Sequence, residues 1–434
     1  MDIKAAPHPD QAASAPVASL QYFVFALFFI FGGITSLNDV LIPKLKELFT
    51  LTYAQVMLVQ SAFFAAYFVI SMPAAAIVKR FGYMRTATIG LLTMTAGCLL
   101  FAPASSSASF AVFLAALFVL ASGITIVQVV ANPLISLLGK PSSAHSRLTF
   151  AQAFNSVGTT VFPYVGSALI LGSLATVDVK TLTGLALDAY RATETQVVSS
   201  TYIGLAIAIA VVAAAVWLQR KKLVETPAEN TNLLQSFDLL GRPRFAWGAL
   251  GIFLYVGAEV SIGSLIVNYL MQPSVMGMTQ QAAGKHVAFY WGGAMVGRFI
   301  GAYILRIYSP GKILAIVAGG VITLLAVSAN TTGAVSGWSL LGIGLFNSIM
   351  FPTIFSLACE GLGRRTPDGS GIICMAIVGG AIVPLVTGFA ADVTSLKLAL
   401  GVPAICYAII LAFGIYARRP ALEGDLAPSA APTI

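Results

Sequence analysis

Apolar residues along this chain fall into long runs that are separated by short polar or charged breaks. A helix needs about 20 predominantly apolar residues to cross the hydrocarbon core of a bilayer. The runs are long enough to meet this requirement, and they lie close together along the whole chain. The pattern predicts twelve transmembrane helices, near residues 20–43, 54–78, 86–103, 110–138, 148–172, 200–218, 245–270, 287–306, 313–329, 336–360, 371–391 and 398–417.

The composition agrees with a membrane protein and excludes a soluble one. Of the 434 residues, 58% are hydrophobic and 9% are charged, whereas a soluble domain carries about 25% charged residues. A water-facing surface needs charge, while lipid requires an apolar surface. We therefore expect an all-α membrane protein that leaves little chain for a soluble domain.

Positive charge is distributed unevenly between alternate connectors. If both tails face the cytoplasm, 17 of the 24 Lys and Arg lie in the tails and the cytoplasmic connectors, and six lie in the outer connectors. Positively charged loops favour the cytoplasmic side, so we predict cytoplasmic termini and a bacterial-type inner membrane. A basic rim beside anionic lipid also explains the net charge of +8 without a nucleic-acid partner.

The two halves of the chain resemble each other weakly. VGTTVFPYV in the fifth run and VGGAIVPLV in the eleventh place Pro163 and Pro384 221 residues apart, and Pro133 and Pro352 are 219 apart. Both separations are close to half the chain length, as expected for a duplicated six-helix unit. We predict two pseudo-symmetric six-helix bundles at 20–218 and 245–417, a cytoplasmic linker at 219–244, and cytoplasmic tails at 1–19 and 418–434.

Two acids and one cation lie well inside the apolar runs. Asp39 is in the first run, Glu259 in the seventh and Arg298 in the eighth. A charge at the centre of a bilayer is costly, so it usually faces a cavity or a partner. Arg298 can pair with one acid while the other exchanges a proton, which would make a proton carrier. Pairing of Glu259 with Arg298 leaves Asp39 to titrate; the reverse assignment and a purely structural ion network are the alternatives.

Carboxamides form a second polar group within the runs. Each offers one acceptor and two donors without net charge, which suits the adjacent hydroxyls of a sugar. Contacts between helices are the alternative role. Trp291 could stack on the apolar face of a sugar ring or anchor its helix at the membrane surface. The candidate sugar-binding residues are Asn38, Gln128, Asn132, Gln152, Asn155, Trp291 and Asn347.

Cysteine and histidine give no sign of a metal or a redox centre. The four cysteines lie singly in apolar runs, and the three histidines lie in a tail or in connectors. We therefore expect no metal and no cofactor, with a proton gradient as the driving force.

Several motifs resemble one known family of transporters. LNDVLIP (37–43), ITIVQVVANPLISLLG (124–139), RLTFAQAFNSVG (147–158), YVGAEVSIGS (255–264) and YWGGAMVGRFIG (290–301) resemble the fucose, galactose and glucose proton symporters of the major facilitator superfamily. The similarity is greatest to the glucose/galactose arm, which includes N-acetylglucosamine carriers. The resemblance implies the major facilitator fold, a coupling proton on Asp39, and a sugar near Gln152 and Asn155.

Two positions depart from the pattern of that family. Gln128 stands where the fucose permeases have a glutamate, which removes a protonatable group and makes fucose a less suitable substrate. In AAIVKRFGYMR, Lys79 replaces the acid of the superfamily's loop signature, which puts the usual gating contact in doubt.

The sequence therefore predicts a transporter rather than an enzyme. We expect a symporter that imports a neutral hexose-type sugar (glucose, galactose or N-acetylglucosamine) with a proton, by alternating access, and that works as a single copy in the lipid bilayer. A drug/proton antiporter of the same superfamily and a non-transporting sugar receptor are the alternatives.

Overall fold

The structure is a computed structural model that describes residues 14–49, 53–107, 109–166, 183–221 and 232–419. At some positions inside the helices, Asn38 and Asp39 among them, it describes the backbone alone. Throughout these ranges the chain is helical, with short connectors.

Within the described ranges, twelve helical units follow one another in chain order, and four of them consist of two consecutive segments. They are α1 (Ser14–Leu48), α2 (Tyr53–Phe81), α3 (Tyr83–Leu99 and Phe101–Ser107), α4 (Phe110–Leu137), α5 (Ala144–Gly166), α6 (Leu185–Gln219), α7 (Pro243–Met271), α8 (Gln280–Ile307), α9 (Pro310–Asn330), α10 (Gly333–Asn347 and Met350–Ala358), α11 (Thr366–Ala376 and Gly379–Val393) and α12 (Leu396–Ala399 and Gly401–Tyr416).

The helix α6 begins earlier than the apolar pattern predicts, at Leu185 instead of near residue 200. Its first turns contain Asp188, Arg191 and Glu194. Because these residues are charged, they are not part of an apolar run, and the apolar pattern places the start of the helix after them. The helix therefore extends beyond the stretch that is apolar enough to lie in lipid.

In the described ranges, ten stretches of helix are long and apolar enough to cross a membrane, and α5 and α8 are not among them. The described part of α5 carries Gln152, Asn155 and Ser156, and α8 carries Arg298 and Arg306. These two helices pack against each other across the interface between the bundles. Their polar side chains are therefore placed where protein, rather than lipid, surrounds them.

The helices form two six-helix bundles, α1–α6 and α7–α12, and the same close contact occurs in both. A Cβ on Gly158 of α5 would lie 2.1 Å from the carbonyl oxygen of Phe29 in α1. In the second bundle, a Cβ on Gly379 of α11 would lie 2.0 Å from the carbonyl oxygen of Phe253 in α7. Both pairs need glycine because the backbones touch, and they repeat the internal duplication.

The bundles are joined by polar contacts at one end of the interface. We call this end the linker side, because the described part of the connector between α6 and α7, residues 232–242, lies there. Nζ of Lys79, near the end of α2, is 2.6 Å from Oδ1 of Asp368 at the start of α11. These side chains are 7% and 0% exposed. The loop residue that departs from the superfamily's signature therefore forms an ion pair between the bundles.

Asp368 is also bound from its own bundle. Nε of Arg365 lies 2.9 Å from its Oδ2, and the hydroxyl of Ser236 donates to its Oδ1 at 2.8 Å. Ser236 belongs to a short 3₁₀ helix, Gln235–Gly241, that precedes α7. The connector between the bundles is thus tied to the ion pair.

A proline supplies a second contact between the bundles. Pro133 in α4 has no N–H, so the carbonyl of Val129, four residues earlier, loses its partner within the helix. The Ser370 hydroxyl of α11 donates to this carbonyl at 2.7 Å.

At the same end of the interface, on its other flank, α5 contacts α8 and α10. The Ser146 hydroxyl donates to the carbonyl of Ala302 at 2.6 Å, and Nδ1 of His145 lies 2.5 Å from the hydroxyl of Ser356. Hydrogen bonds from both flanks therefore hold the bundles together at this end.

We predict that Asp368→Asn lowers the thermal stability of the purified protein more than Lys79→Met does. Loss of the acid breaks the buried ion pair with Lys79 and removes one of the two carboxylates bound to Arg365, whose other partner is Asp238. Breaking a buried ion pair in this way costs about 3–5 kcal/mol. Lys79→Met leaves Asp368 paired with Arg365, so its cost is smaller. Thermal unfolding in detergent measures both effects.

The control is Asp392→Asn, because Asp392 is exposed near the end of α11, and it should melt with the wild type. An Asp368→Asn protein that melts with the wild type, or above Lys79→Met, would contradict the stabilising role of this ion pair.

Candidate functional site

A cavity of about 150 Å³ lies between the two bundles. Its walls come from α1, α2, α4 and α5 on one side and from α7, α8, α10 and α11 on the other. The lining residues are Phe31, Gly32, Thr35, Tyr67, Gln128, Gln152, Asn155, Thr159, Tyr255, Val256, Glu259, Arg298, Phe351 and Ile377.

Five of the residues singled out from the sequence meet in this cavity. Gln128, Gln152 and Asn155 are on the wall formed by the first bundle, and Glu259 and Arg298 are on the wall formed by the second. The wall from the first bundle is therefore rich in neutral amides, and the opposite wall carries the charged groups.

On the first wall, Gln128 is held by a tyrosine of the neighbouring helix. The Tyr67 hydroxyl of α2 donates to Oε1 of Gln128 at 2.8 Å, and both side chains are buried. Tyr67 was not a candidate from the sequence, because a tyrosine in an apolar helix is ordinary packing by pattern alone.

The amides of α5 use their N–H groups on other protein atoms. Nε2 of Gln152 donates to Oδ1 of Asn132 at 3.4 Å, and Nδ2 of Asn155 donates to the carbonyl of Phe28 at 3.3 Å. Asn132 is fully buried and does not line the cavity. In this structure Asn132 holds the Gln152 side chain by this hydrogen bond without lining the cavity itself.

Arg298 links three segments of chain at the cavity wall. One terminal nitrogen donates to the carbonyl of Gln152 at 3.0 Å and to the hydroxyl of Ser156, both on α5. Its Nε donates to the carbonyl of Ser348 at 3.2 Å. That carbonyl lies at the interruption of α10, four residues before Pro352, so it lacks the usual donor within the helix.

Glu259 is bound by a tyrosine one turn earlier on α7. The Tyr255 hydroxyl donates to Oε1 of Glu259 at 2.7 Å and lies 3.1 Å from the carbonyl of Asn347. Among the described residues, no ion pair within 4.0 Å joins Glu259 to Arg298. The simplest pairing expected from the sequence is thus absent from this conformation, in which Arg298 binds α5.

Two further candidates lie outside the cavity wall. Asn347 is fully buried, and its Nδ2 donates to the hydroxyl of Tyr290 at 2.8 Å. Trp291 is 44% exposed and packs edge-on against Tyr290, with 5.0 Å between ring centroids. The side chains of Asn38 and Asp39 lie outside the described part of the structure.

Aromatic and hydroxyl groups complete the lining, and sequence reasoning did not select them. Phe31 and Phe351 supply apolar surface from opposite bundles, and Thr35 and Thr159 supply hydroxyls. Thr35 and Thr159 could have been found by helical spacing, because each is four residues from a candidate of the sequence, Asp39 and Asn155.

The arrangement suits a small neutral ligand with several hydroxyl groups. Amide and hydroxyl groups can bind hydroxyls in both directions, while the phenylalanines offer flat apolar surface. In the described residues, no group of three or more His, Cys, Asp or Glu could hold a metal ion.

Comparison with known proteins places the chain in a family. The sequence profile of the Major Facilitator Superfamily matches residues 23–376. A glucose/galactose transporter of Brucella abortus is 50% identical over 91% of this chain and 92% of its own length. A putative glucose/galactose transporter of Helicobacter pylori is 41% identical over 90% of this chain and 94% of its own length.

Solved structures agree with the sequence comparisons. The crystal structure of the Major Facilitator Superfamily transporter FucP in the outward conformation has a TM-score of 0.84 and 32% identity to this chain, and it covers 95% of this chain and 100% of FucP. The chain therefore belongs to the major facilitator superfamily and has the twelve-helix fold of these multi-pass membrane transporters.

Proposed function

We propose that the protein is a proton-coupled symporter that imports a neutral hexose-type sugar (glucose, galactose or N-acetylglucosamine) across the inner membrane. The observation that carries the proposal is the cavity between the bundles, in which Gln128, Gln152 and Asn155 face Glu259 and Arg298. It combines sugar-binding chemistry with buried charge at the place where the fold alternates access.

The polarity of the cavity favours a sugar over a lipophilic drug. A drug with few hydroxyls would leave the remaining donors and acceptors of the buried amides without partners, and unpaired buried polar groups are costly. The names of the relatives from Brucella abortus and Helicobacter pylori support the same class of substrate, and a relative from Escherichia coli that is 33% identical is an L-fucose-proton symporter. A drug/proton antiporter remains the second candidate that the tests must separate.

The excess of positive charge in the linker-side connectors supports a cytoplasmic position for the linker side. The polar contacts from Lys79 and His145 then close the cytoplasmic end of the interface. We infer that the structure represents an outward-facing state. Its similarity to FucP in the outward conformation supports this inference. The cavity lies within one chain, so a single copy suffices for transport.

Coupling, in this proposal, is electrostatic. Asp39 takes the proton when the cavity faces outward, and the bound proton removes a charge that would otherwise oppose closure around the sugar. Arg298 must release the carbonyl of Gln152 and the hydroxyl of Ser156 before α5 and α8 can separate. Glu259 lines the same cavity, so it is the acid available to accept the released guanidinium.

Transport by purified protein in proteoliposomes tests the function. With an inwardly directed proton gradient, at least one of labelled glucose, galactose and N-acetylglucosamine should accumulate above its external concentration, and dissipating the gradient should abolish accumulation. Proton-driven export of a lipophilic cation, without accumulation of any sugar, would favour the antiporter instead.

We predict that Gln152→Ala weakens sugar binding about tenfold, because a lost hydrogen bond in a dry site is worth roughly 1–1.5 kcal/mol. Isothermal titration of the purified variant measures the dissociation constant. Asn330→Ala is the control, because this amide is exposed at the end of α9 and its loss should leave binding unchanged. Equal affinity in Gln152→Ala and the wild type would show that the sugar binds elsewhere.

We predict that Asp39→Asn abolishes accumulation but preserves exchange of labelled for unlabelled sugar. The amide mimics a permanently protonated acid, so the bundles can still alternate while no proton is released. Counterflow in proteoliposomes measures exchange, and Asp392→Asn is the matched control. Uphill uptake by Asp39→Asn would contradict the assignment of the coupling proton.

A further inference from the structure

The Tyr67 hydroxyl is a buried polar group to which the transport cycle above assigns no role. Tyr67 is 3% exposed, and its ring lies at the cavity wall. Its hydroxyl donates to Oε1 of Gln128 at 2.8 Å. Since a tyrosine hydroxyl carries one proton, this contact determines which end of the Gln128 amide faces α2.

The orientation of Gln128 follows from that proton. If the amide were reversed, its NH₂ group would face the tyrosine oxygen, and the tyrosine proton would lose the acceptor that it has in this structure. Leaving a buried donor unpaired costs more than the net gain from an ordinary hydrogen bond. The carbonyl of Gln128 therefore points to α2, and its NH₂ group, with two donors, is left for the cavity.

The two amides on α5 are oriented the opposite way. Nε2 of Gln152 donates to Asn132, and Nδ2 of Asn155 donates to the carbonyl of Phe28. In each of these amides, the protein uses one of the two N–H donors, and the carbonyl oxygen accepts no hydrogen bond from another described residue. The α4 part of the wall therefore offers the two donors of Gln128, whereas the α5 part offers two carbonyl acceptors beside one remaining N–H on each amide.

We propose that Tyr67 is a specificity-determining positioning residue, which fixes the Gln128 amide so that the ligand must present a hydrogen-bond acceptor to α4 while it donates to α5. This inference rests on the proposed function, since it specifies how the same cavity reads a sugar. Tyr67 sets the direction of the hydrogen bond between Gln128 and the ligand, because an amide that is free to turn at this position would accept as readily as it donates.

Sugar analogues separate the two directions. Each sugar hydroxyl can donate and accept; replacing it by fluorine removes the donor and keeps a weak acceptor, while replacing it by hydrogen removes both. The hydroxyl that meets Gln128 should therefore tolerate fluorine better than hydrogen. A hydroxyl that donates to the carbonyl oxygen of Gln152 or Asn155 should tolerate neither.

The experiment is isothermal titration of the purified full chain with the best-bound monosaccharide and its singly deoxy and singly deoxyfluoro analogues. In the wild type, we expect one ring position at which the fluoro analogue binds several-fold more tightly than the deoxy analogue. In Tyr67→Phe, the parent sugar should bind about tenfold more weakly, and that preference for fluorine should become smaller because the amide can also turn its carbonyl to the ligand.

Tyr202→Phe is the matched control. Tyr202 is fully buried in the same bundle and stacks on Phe101 at 3.9 Å between centroids. Its hydroxyl has no hydrogen-bond partner among the described residues, and it does not line the cavity. This variant should keep the wild-type affinities across the panel, which shows that loss of a buried tyrosine hydroxyl is not itself the cause.

Two results would overturn the inference: a Tyr67→Phe protein whose preference for fluorine over hydrogen is as large as in the wild type, or a wild type with no position that prefers fluorine to hydrogen. If the wild type binds no monosaccharide, the proposed function fails separately. The melting temperatures of Tyr67→Phe, Gln128→Leu and the double variant then decide whether the pair exists. We expect the double variant to lose clearly less than the sum of the single losses, and strict additivity would overturn the pairing.

Discussion

A polar group inside a bilayer has no water to bind, so it must find a partner in the protein or line a cavity. This constraint accounts for the placement of α5 and α8. Both helices carry polar side chains that lipid would not tolerate, and they face each other between the bundles. The cavity lies at this place because the sequence concentrates its amides and its charged groups on the facing helices.

The same constraint explains how the bundles are held together. Pro133 and Pro352 each deprive a carbonyl of its helical donor, and neither carbonyl is left alone. Ser370 binds the carbonyl of Val129 across the interface. Arg298 binds the carbonyl of Ser348 within its own bundle and reaches across the interface to α5 with the same side chain. Such contacts are exchangeable, because a hydroxyl or guanidinium can leave a carbonyl for water or for another acceptor. A helix built without these prolines would have no such carbonyl to offer.

Much of the architecture could be predicted from the sequence, because apolar length and internal repetition are properties of the chain itself. The spacing of Pro163 and Pro384 revealed the duplication, which recurs in the contacts of Gly158 and Gly379. The meeting of Gln128, Gln152 and Asn155 with Glu259 and Arg298 was also expected, since costly groups in lipid collect where they can be shared.

The hydrogen-bond and ion-pair partners of the site residues were harder to predict than which residues belong to the site. The sequence suggested that Arg298 pairs with Glu259, yet in this conformation it binds the backbone of α5 and Glu259 binds Tyr255. Nothing in the pattern distinguishes a carboxylate from a freed carbonyl as the acceptor for a guanidinium. Tyr67 was not predicted as a site residue for a similar reason, because its role depends on a contact between helices far apart in sequence. Lys79 is a third case. Because it departs from the loop signature, the sequence put the usual gating contact in doubt. Its partner Asp368 lies 289 positions later in the chain.

The central claim is that sugar and proton cross together through one cavity. The most direct measurement is the external pH of a weakly buffered suspension of proteoliposomes when the transported sugar is added with no imposed proton gradient. The account predicts that the medium becomes more alkaline as sugar enters, and that a proton ionophore abolishes the change. Sugar entry without any movement of protons would contradict it.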